Sequence, residues 1–364
     1  ATIKEMAQKA KKPIIKLLLE LYHDPDRKPG IVILKDLVSL TLYHRTLPRH
    51  YFSRYLFKKD RLNIRDYYPD KFLYYGIKPF LNDKELWGVL ENKLFFHLYY
   101  DQFGIPLPGI LMYNHKTSFT FNGKQIRITD TEGFKSLLRD LFAATPALDS
   151  MIIKKSFWSY GGDKVYKLFR SQVADNSPVL AELYREVSAS GFLFQETVIQ
   201  HKRLNELNPS CLNTLRIDTY MDKEGKVEII SAYIRMSINN SHVDNISSGG
   251  CQVGIDLKTG ILREEGHSSF RYYGVKELKS HPITGTLFKD FVIPCFDKAK
   301  ILAVEAAGLI PGLRIVGWDV AIGEHGPVLI EGNADYAMRG NDLSERGYRT
   351  NPVFRKILDE LKSS

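Results

Sequence analysis

The stretch GWDVAIGEHGPVLIEGN, residues 317–333, constrains the fold more than any other. With the preceding Ile315-Val316 it reads as two strands rich in β-branched residues, joined by a turn near Glu324 to Gly326. The even positions Val316, Trp318, Val320, Ile322, Val328 and Ile330 are all apolar and make a face for a core, which leaves the odd face to Asp319, Glu331 and Asn333. A register pairing even with even through a three-residue loop sets Asp319 opposite Glu331, with Asn333 two residues further along the same face. Two carboxylates about 5 Å apart repel by roughly 3 kcal/mol at an effective dielectric of about 20. A marginally stable fold keeps such a pair only with compensation. A cation held by hard oxygen ligands is the expected compensation, and neutralising either acid is then expected to relieve the repulsion. The competing readings are a structural calcium site and an exposed acidic turn.

The chain has 364 residues, 44% hydrophobic and 26% charged, an ordinary composition with enough length for one large core or two smaller ones. No apolar run approaches the roughly 18 residues that a spanning helix needs. The opening ATIKEMAQKAKKPIIKLLLELY is too charged for a secretory signal, so a cytoplasmic location is expected, with peripheral contact at the inner face of the cell membrane as an extension of it. Cys211, Cys251 and Cys295 are odd in number, widely spaced and without CxxC, which argues against a disulfide framework or a structural zinc site. The formal charge of +9 favours anionic partners: nucleotides, sugar acids, lipid headgroups or nucleic acid. The basic, tyrosine-rich residues 41–80 fit a helical cap with its tyrosines turned inward. They also fit a surface for an acidic glycan, a lipid-linked sugar or an anionic membrane.

Residues 1–84 read as helical and irregular. A helix over 82–104, a strand at 109–113, a hairpin turning at Asn122-Gly123 and a helix over 131–144 follow. Strands then dominate, at SMIIKK, DKVYKLF, GFLFQETVI, NTLRIDTYM, KVEIISAYIRM and GCQVGIDL, before a helix over 293–308 and the acidic hairpin. The turns MDKEGK and DLKTG have the Asp and Gly placement of tight hairpins, so the sheets are expected to be antiparallel and the fold class α+β.

Neither GxxxxGK[ST] nor GxGxxG occurs, so phosphate has to be held in another way. SMIIKKSFWSYGG offers Lys154 and Lys155 on opposite strand faces, either of which is a candidate for the inward role. A loop with Ser156, Ser159, Gly161 and Gly162 follows, whose backbone N–H groups can close over an anion. A surface hairpin with a glycine turn is the plainer alternative. Arg216 and Arg235 stand alone in apolar strands, suited either to phosphate or to a neighbouring acid. VDNISSGG returns Asn245 and Gly249-Gly250 beside Arg235. The segment from Gln195 through Glu196 to Val198 offers backbone for an adenine edge, or is a plain linker. His201 and His242 receive no role.

Taken in order, ENK with Lys93, IIKK with Lys154, SFWSYGG, FQETV, NTLR, YIRM and the Asp319…Glu331-Gly-Asn333 set resemble the ATP-grasp superfamily over roughly residues 85 to 340. More narrowly, NPSCLNTLRIDT, DNISSGGCQVGID, GWDVAI and VLIEGN resemble the sugar-transfer-associated ATP-grasp proteins, a group linked to bacterial capsule and exopolysaccharide synthesis. The resemblance implies two α/β lobes whose antiparallel sheets clasp ATP, over 85–195 and 196–364, behind a mainly helical region at 1–84 where the usual preceding Rossmann-like domain is not visible. It implies ATP with one or two Mg²⁺ ions, Mn²⁺ being a substitute. Lys93, Lys154, Ser156, Gly161 and Gly162 then serve the phosphates, Gln195, Glu196 and Val198 the adenine, and Asp319, Glu331 and Asn333 the metal. Arg216, Arg235 and Asn245 are expected around the transferred phosphoryl group. The implied reaction joins a carboxylate to an amine through an acyl phosphate, with a sugar uronate and an amino acid or amine as partners and no specific nucleic acid. A sugar kinase with the same ATP apparatus, and a non-catalytic membrane or nucleic-acid adaptor, are the alternatives.

Overall fold

Six strands, β1 (Ile110–His115), β2 (Ser118–Phe121), β3 (Lys124–Arg127), β4 (Ser150–Lys155), β5 (Val165–Phe169) and β6 (Gly191–Glu196), form one sheet in the order β3-β2-β1-β6-β4-β5. Seven more, β7 (Thr214–Met221), β8 (Val227–Ser237), β9 (Gly250–Ile255), β10 (Leu262–Ser268), β11 (Glu277–Leu278), β12 (Ile315–Gly323) and β13 (Gly326–Asn333), form a second in the order β11-β10-β9-β8-β7-β12-β13. Every pairing in both is antiparallel. The structure, a computed structural model, describes residues 12–157, 164–239, 244, 249–274 and 276–363. The turn chemistry explains the antiparallel order. Asn122 and Gly123 join β2 to β3 with φ of 48° and 71°, the left-handed pair that a two-residue hairpin turn requires. Asp222 accepts from the N–H groups of Glu224 and Lys226 between β7 and β8, and Asp256 does the same for Lys258 and Thr259 between β9 and β10.

Each sheet has its own core. Helix Thr131–Ala144 is capped by Asp130, which accepts from the Gly133 N–H at 2.8 Å. Its Phe134, Leu137, Leu138 and Leu141, at helical spacing, are buried with Met151, Ile153, Phe192 and Phe194 of the smaller sheet. Helix Phe296–Gly308 buries Ala299, Leu302, Ala303 and Ala306 with Val316, Trp318, Val320 and Ile322 of β12. One face of the larger sheet is thereby sealed, and its other face carries the polar residues of β12, β7 and β8. The expected α+β class, with two antiparallel sheets and a helical N-terminal region, is the architecture found.

Two local expectations are corrected. The helix expected over 82–104 is broken at Asn92 into a helical turn Lys84–Leu86, a helix Trp87–Glu91 and a helix Lys93–Asp101. Asn92 is extended, at φ −99° and ψ 108°, and its side chain accepts from the N–H groups of Leu94 and Phe95, so it caps a new helix. The freed Lys93 N–H donates to the Ser156 carbonyl at 2.7 Å, which fastens this helix start to the end of β4. In the acidic hairpin the turn holds two residues, Glu324 and His325, because Gly323 pairs with Gly326. A bulge then leaves Ile330 unpaired: Val320 faces Leu329 while Asp319 faces Glu331. The buried apolar side chain of the second arm is accordingly that of Leu329, with Val328 and Ile330 only half-buried.

The N-terminal region begins with helices α1 (Ile14–His23) and α2 (Gly30–His44) and continues through short helical turns to Leu81. Tyr51, Tyr55, Phe57 and Tyr67 are buried in its core. Arg54 is fully buried and joins this region to the larger lobe, with Nε 3.0 Å from Asp342 Oδ2 and Nη2 2.7 Å from Asp70 Oδ1. Asp342 is also fully enclosed; burial pushes its pKa up to about 6 although Arg54 opposes the shift. Removing one partner of such a pair strands the other charge in the interior. Arg54→Ala is therefore expected to cost roughly 3–5 kcal/mol of stability, read from the urea midpoint, and Arg54→Met with Asp342→Leu should recover most of it. An Arg54→Ala loss under about 1 kcal/mol, the size of an exposed pair, would contradict this account.

Candidate active site between the two sheets

Strand alternation sets Asp319, Arg216 and Arg235 on one face. Asp319 of β12 is the register partner of Arg216 on β7, and Arg235 of β8 is the partner of Thr214, which faces Ala321. Arg216 Nε donates to Asp319 Oδ1 at 2.6 Å and Arg235 Nη2 lies 2.8 Å from Oδ2, so the two carboxylate oxygens are held by two guanidiniums. All three side chains are buried. Burial pushes the Asp319 pKa upward, but Arg216 and Arg235 outweigh it and hold the carboxyl below its ordinary value. Arg235 is steadied from behind. Its Nε and Nη2 donate to Thr214 Oγ1 at 3.1 and 2.7 Å, and Thr214 in turn donates to Asp244.

The expectation that a cation must offset the Asp319 and Glu331 charges is corrected by this arrangement. The offset lies within the chain, because the neighbouring strands present guanidiniums on the same face, and Lys93 Nζ lies 3.6 Å from Glu331 Oε1. The donor set still fits a divalent cation. Asp319 and Glu331 are register partners, and Asn333 stands opposite Gly317, donating to its carbonyl at 3.2 Å and keeping its amide oxygen as an acceptor. One guanidinium bond per carboxylate oxygen leaves Asp319 with acceptor capacity for a hard ion.

The smaller sheet brings Lys154 to the same place. Lys154 is 7% exposed, and among the described residues its ammonium makes no hydrogen bond or ion pair. Burial depresses its pKa to about 8; Glu331 opposes that shift, Lys93 adds to it and Asp319 opposes it, which marks the ammonium as a neighbour of the acidic hairpin. Lys155 is half-buried on the opposite strand face. Ser156 follows β4 as a buried residue, and among the described residues its hydroxyl has no partner. An unpaired buried ammonium and an unpaired buried hydroxyl beside a helix start are groups that phosphate oxygens satisfy.

Lys93, Lys154, Ser156, Arg216, Arg235, Asp319, Glu331 and Asn333 are thus gathered in one region. Gln195 turns its side chain inward, to the Pro108 carbonyl at 3.2 Å and His97 Nδ1 at 3.3 Å. Glu196 is exposed over Gly109, and its N–H donates to the Gly109 carbonyl. Beyond Val198 the chain crosses to the hairpin tip, where His201 N–H donates to Ile322 and Glu324 N–H to Ile199. Glu196 and Val198 line a cleft of about 540 Å³ with Ile301, Leu302 and Pro327. The helix residues put this cleft on the sealed side of the larger sheet, away from Asp319. Gly161, Gly162 and Asn245, with Ser159 and His242, lie outside the described residues.

Thr214, Asp244 and Asp218 were missed from the sequence. Asp218 is fully buried, accepts from the Tyr348 hydroxyl at 3.2 Å, and is raised by burial to about 7 against the pull of Arg216. The alternation in LRIDT already places it on the Arg216 face, and that signal was there to be read.

Two antiparallel sheets meeting at a cation-rich, acid-bearing region are the architecture of an ATP-grasp enzyme, a class of ATP-dependent ligases. The chain belongs to the sugar-transfer-associated ATP-grasp family, whose profile matches residues 75–351, more than half of its length. No curated protein sequence matches it. Solved structures similar in fold include D-cycloserine synthetase DcsG, at 15% identity, covering 77% of this chain and 73% of that one with a TM-score of 0.43. D-alanyl-alanine synthetase A from Vibrio cholerae O1 biovar eltor shares 14% identity over 76% of this chain and 65% of that one, with a TM-score of 0.42. A D-alanine–D-alanine ligase from Bacillus anthracis shares 11% over 76% and 67%, with a TM-score of 0.40.

Asp319→Asn removes the anion that two buried guanidiniums share. The variant should lose roughly 3–5 kcal/mol of stability, seen as a lower unfolding midpoint in the absence of nucleotide. A variant as stable as the parent, or more stable, would restore the view that carboxylate repulsion dominates the hairpin.

Proposed function

We propose that the enzyme joins a carboxylate to an amine in the cytoplasm, making an amide through an acyl phosphate, with a sugar uronate and an amino acid or amine as substrates in capsule or exopolysaccharide synthesis. One observation carries the reading. Among the described residues the buried Lys154 ammonium of one sheet has no partner, and it stands beside the Asp319 and Glu331 hairpin of the other, an arrangement that makes chemical sense when a polyanion lies between them.

In this reading Lys93, Lys154 and the Ser156 hydroxyl take the phosphates, helped by Gly161 and Gly162, and the segment from Gln195 through Glu196 to Val198 takes the adenine on its side toward those residues and not in the cleft beside Ile301 and Leu302. Asp319, Glu331 and Asn333 hold one or two Mg²⁺ ions, which when bound neutralise phosphate charge. The substrate carboxylate oxygen attacks the γ-phosphorus, and the bond to the ADP oxygen breaks. Arg216 and Arg235 keep guanidinium donors beyond those used on Asp319 and Thr214, and with Asn245 they steady the charge on the acyl phosphate. The amine nitrogen then attacks the acyl carbon, loses a proton and expels phosphate, which departs with an oxygen that began in the acid.

Lys154 is expected to trade stability for binding. Its folded pKa, about 8, lies below the roughly 10.4 of a free lysine. The stability tied to it is therefore complete above the unfolded value and is lost as pH falls through about 8. Lys154→Met should accordingly be more stable than the parent at neutral pH without nucleotide while binding ATP roughly ten- to a hundredfold more weakly. Lys155→Met should do neither. Calorimetry and thermal melts on both variants check this, and the opposite ranking would move the phosphate role to Lys155.

The reaction is tested with ¹⁸O-labelled uronic acid, amine and Mg-ATP, by weighing the released phosphate and the organic product. Labelled phosphate and an amide are expected. Unlabelled phosphate beside a phosphorylated sugar would overturn the amide reading in favour of a kinase and leave the fold and the cation-rich region standing.

A further inference from the structure

Helix α2 is apolar on both sides. Ile33, Leu37 and Leu40 pack into the N-terminal core, while Ile31, Leu34, Val38 and Leu42 lie at helical spacing on the outer side. Those four are 52–75% exposed. Helix α1 repeats the pattern, with Leu21 in the same core and Ile15, Leu19 and Tyr22 exposed. The outer side of α2 borders a groove of about 700 Å³ that runs past Leu34, Val38 and Leu42 to Arg65. A soluble monomer does not ordinarily leave two neighbouring helices uncovered in this way.

The charge around this surface indicates what covers it. Three of its acids are spent inside the chain: Glu20 pairs with Lys12 at 2.6 Å, Asp36 with Lys28 at 2.9 Å and Asp24 with Lys58 at 2.9 Å, while the exposed Asp26 lies 3.7 Å from Lys58. Lys16, Lys35, Arg45 and Arg49 are exposed and, among the described residues, make no ion pair. We infer that the outer faces of α1 and α2 form a docking surface for an anionic lipid bilayer, their apolar side chains entering the headgroup boundary and the lysines and arginines resting on its negative charge. A second copy of the chain fits less well, because a two-fold contact through this surface would bring two sets of exposed cations into one interface, with few exposed acids opposite them to offset the repulsion. No helix among the described residues is long and apolar enough to cross a membrane, so the contact is peripheral.

The inference goes beyond the ligase reading, and its test uses no ATP, so either can fail without the other. The full chain is sedimented with vesicles of phosphatidylglycerol mixed with phosphatidylcholine, and with phosphatidylcholine alone. Binding to the anionic vesicles only, weakened by salt, is expected. Leu34→Asp with Leu42→Asp should lower vesicle affinity about tenfold or more, and Lys35→Glu about fivefold. All should keep the parent's melting temperature, since these side chains lie outside the core. Equal binding to neutral vesicles, or variants that bind as the parent does, would overturn the assignment. So would a parent dimer that Leu42→Asp splits, which would give the surface to a second copy.

Discussion

Asp319 accepts Arg216 on one carboxylate oxygen and Arg235 on the other, so a single buried anion ties β12, β7 and β8 together on the face that meets the smaller sheet. Burying three charges is costly, and the cost is offset only while each has its partner and its hydrogen bonds. Lys93, Lys154, Arg216 and Arg235 converge on Asp319 and Glu331, with Asp244 3.6 Å from Arg235 and Asp218 buried on the Arg216 face. The charges nearly balance, but among the described residues the desolvated Lys154 ammonium has no partner. A polyanion would supply one.

The two lobes are fastened on either side of this region. At one side Asn92 forms a bridge with Phe157 while Lys93 N–H reaches the Ser156 carbonyl, so the start of a helix in the larger lobe's core is pinned to the end of β4. At the other, the segment after Glu196 runs to the hairpin tip and pairs with it through Gln200 and His201. The positive end of the Lys93–Asp101 helix therefore points at the place where Lys154 and Ser156 arrive. Asn92 achieves this by ending one helix and capping the next, and the side chain it spends is the one that makes Lys93 a first-turn residue.

Alternation and turn chemistry made most of the framework legible. The facing of Asp319 and Glu331, the antiparallel order and the turn at Asn122-Gly123 all follow from spacings of two and from residues that tolerate positive φ. What escaped has a physical reason in each case. Ile330 is one apolar residue among several, and nothing in VLIEGN shows that it falls out of the ladder; a two-residue turn and a bulge together reproduce the pairing that a three-residue loop would give. Asn92 interrupts an apolar periodicity without a proline or glycine to announce it. The compensation of Asp319 by guanidiniums depends on which strands lie side by side, and sequence order does not state that β12 lies beside β7. The outer side of α2 was hidden for the opposite reason: a helix apolar all round reads as buried.

The N-terminal region is part of the site's foundation. Directly after Asn333, the chain is held by its contacts: Asn82 Nδ2 donates to the Ile315 and Ala334 carbonyls, Lys78 Nζ lies 2.5 Å from Asp335 Oδ1, and Tyr74 donates to the other oxygen of Asp335. Arg54 holds Asp342 a few residues later. The segment that leaves the acidic hairpin is thus gripped by the same region that carries α1 and α2. Lys78 and Arg54 are almost wholly enclosed, so these grips are not easily loosened by salt. An enzyme resting on a bilayer through α1 and α2 would accordingly hold its hairpin in a fixed orientation to the lipid surface, because the connection runs through buried ion pairs and not through a flexible linker.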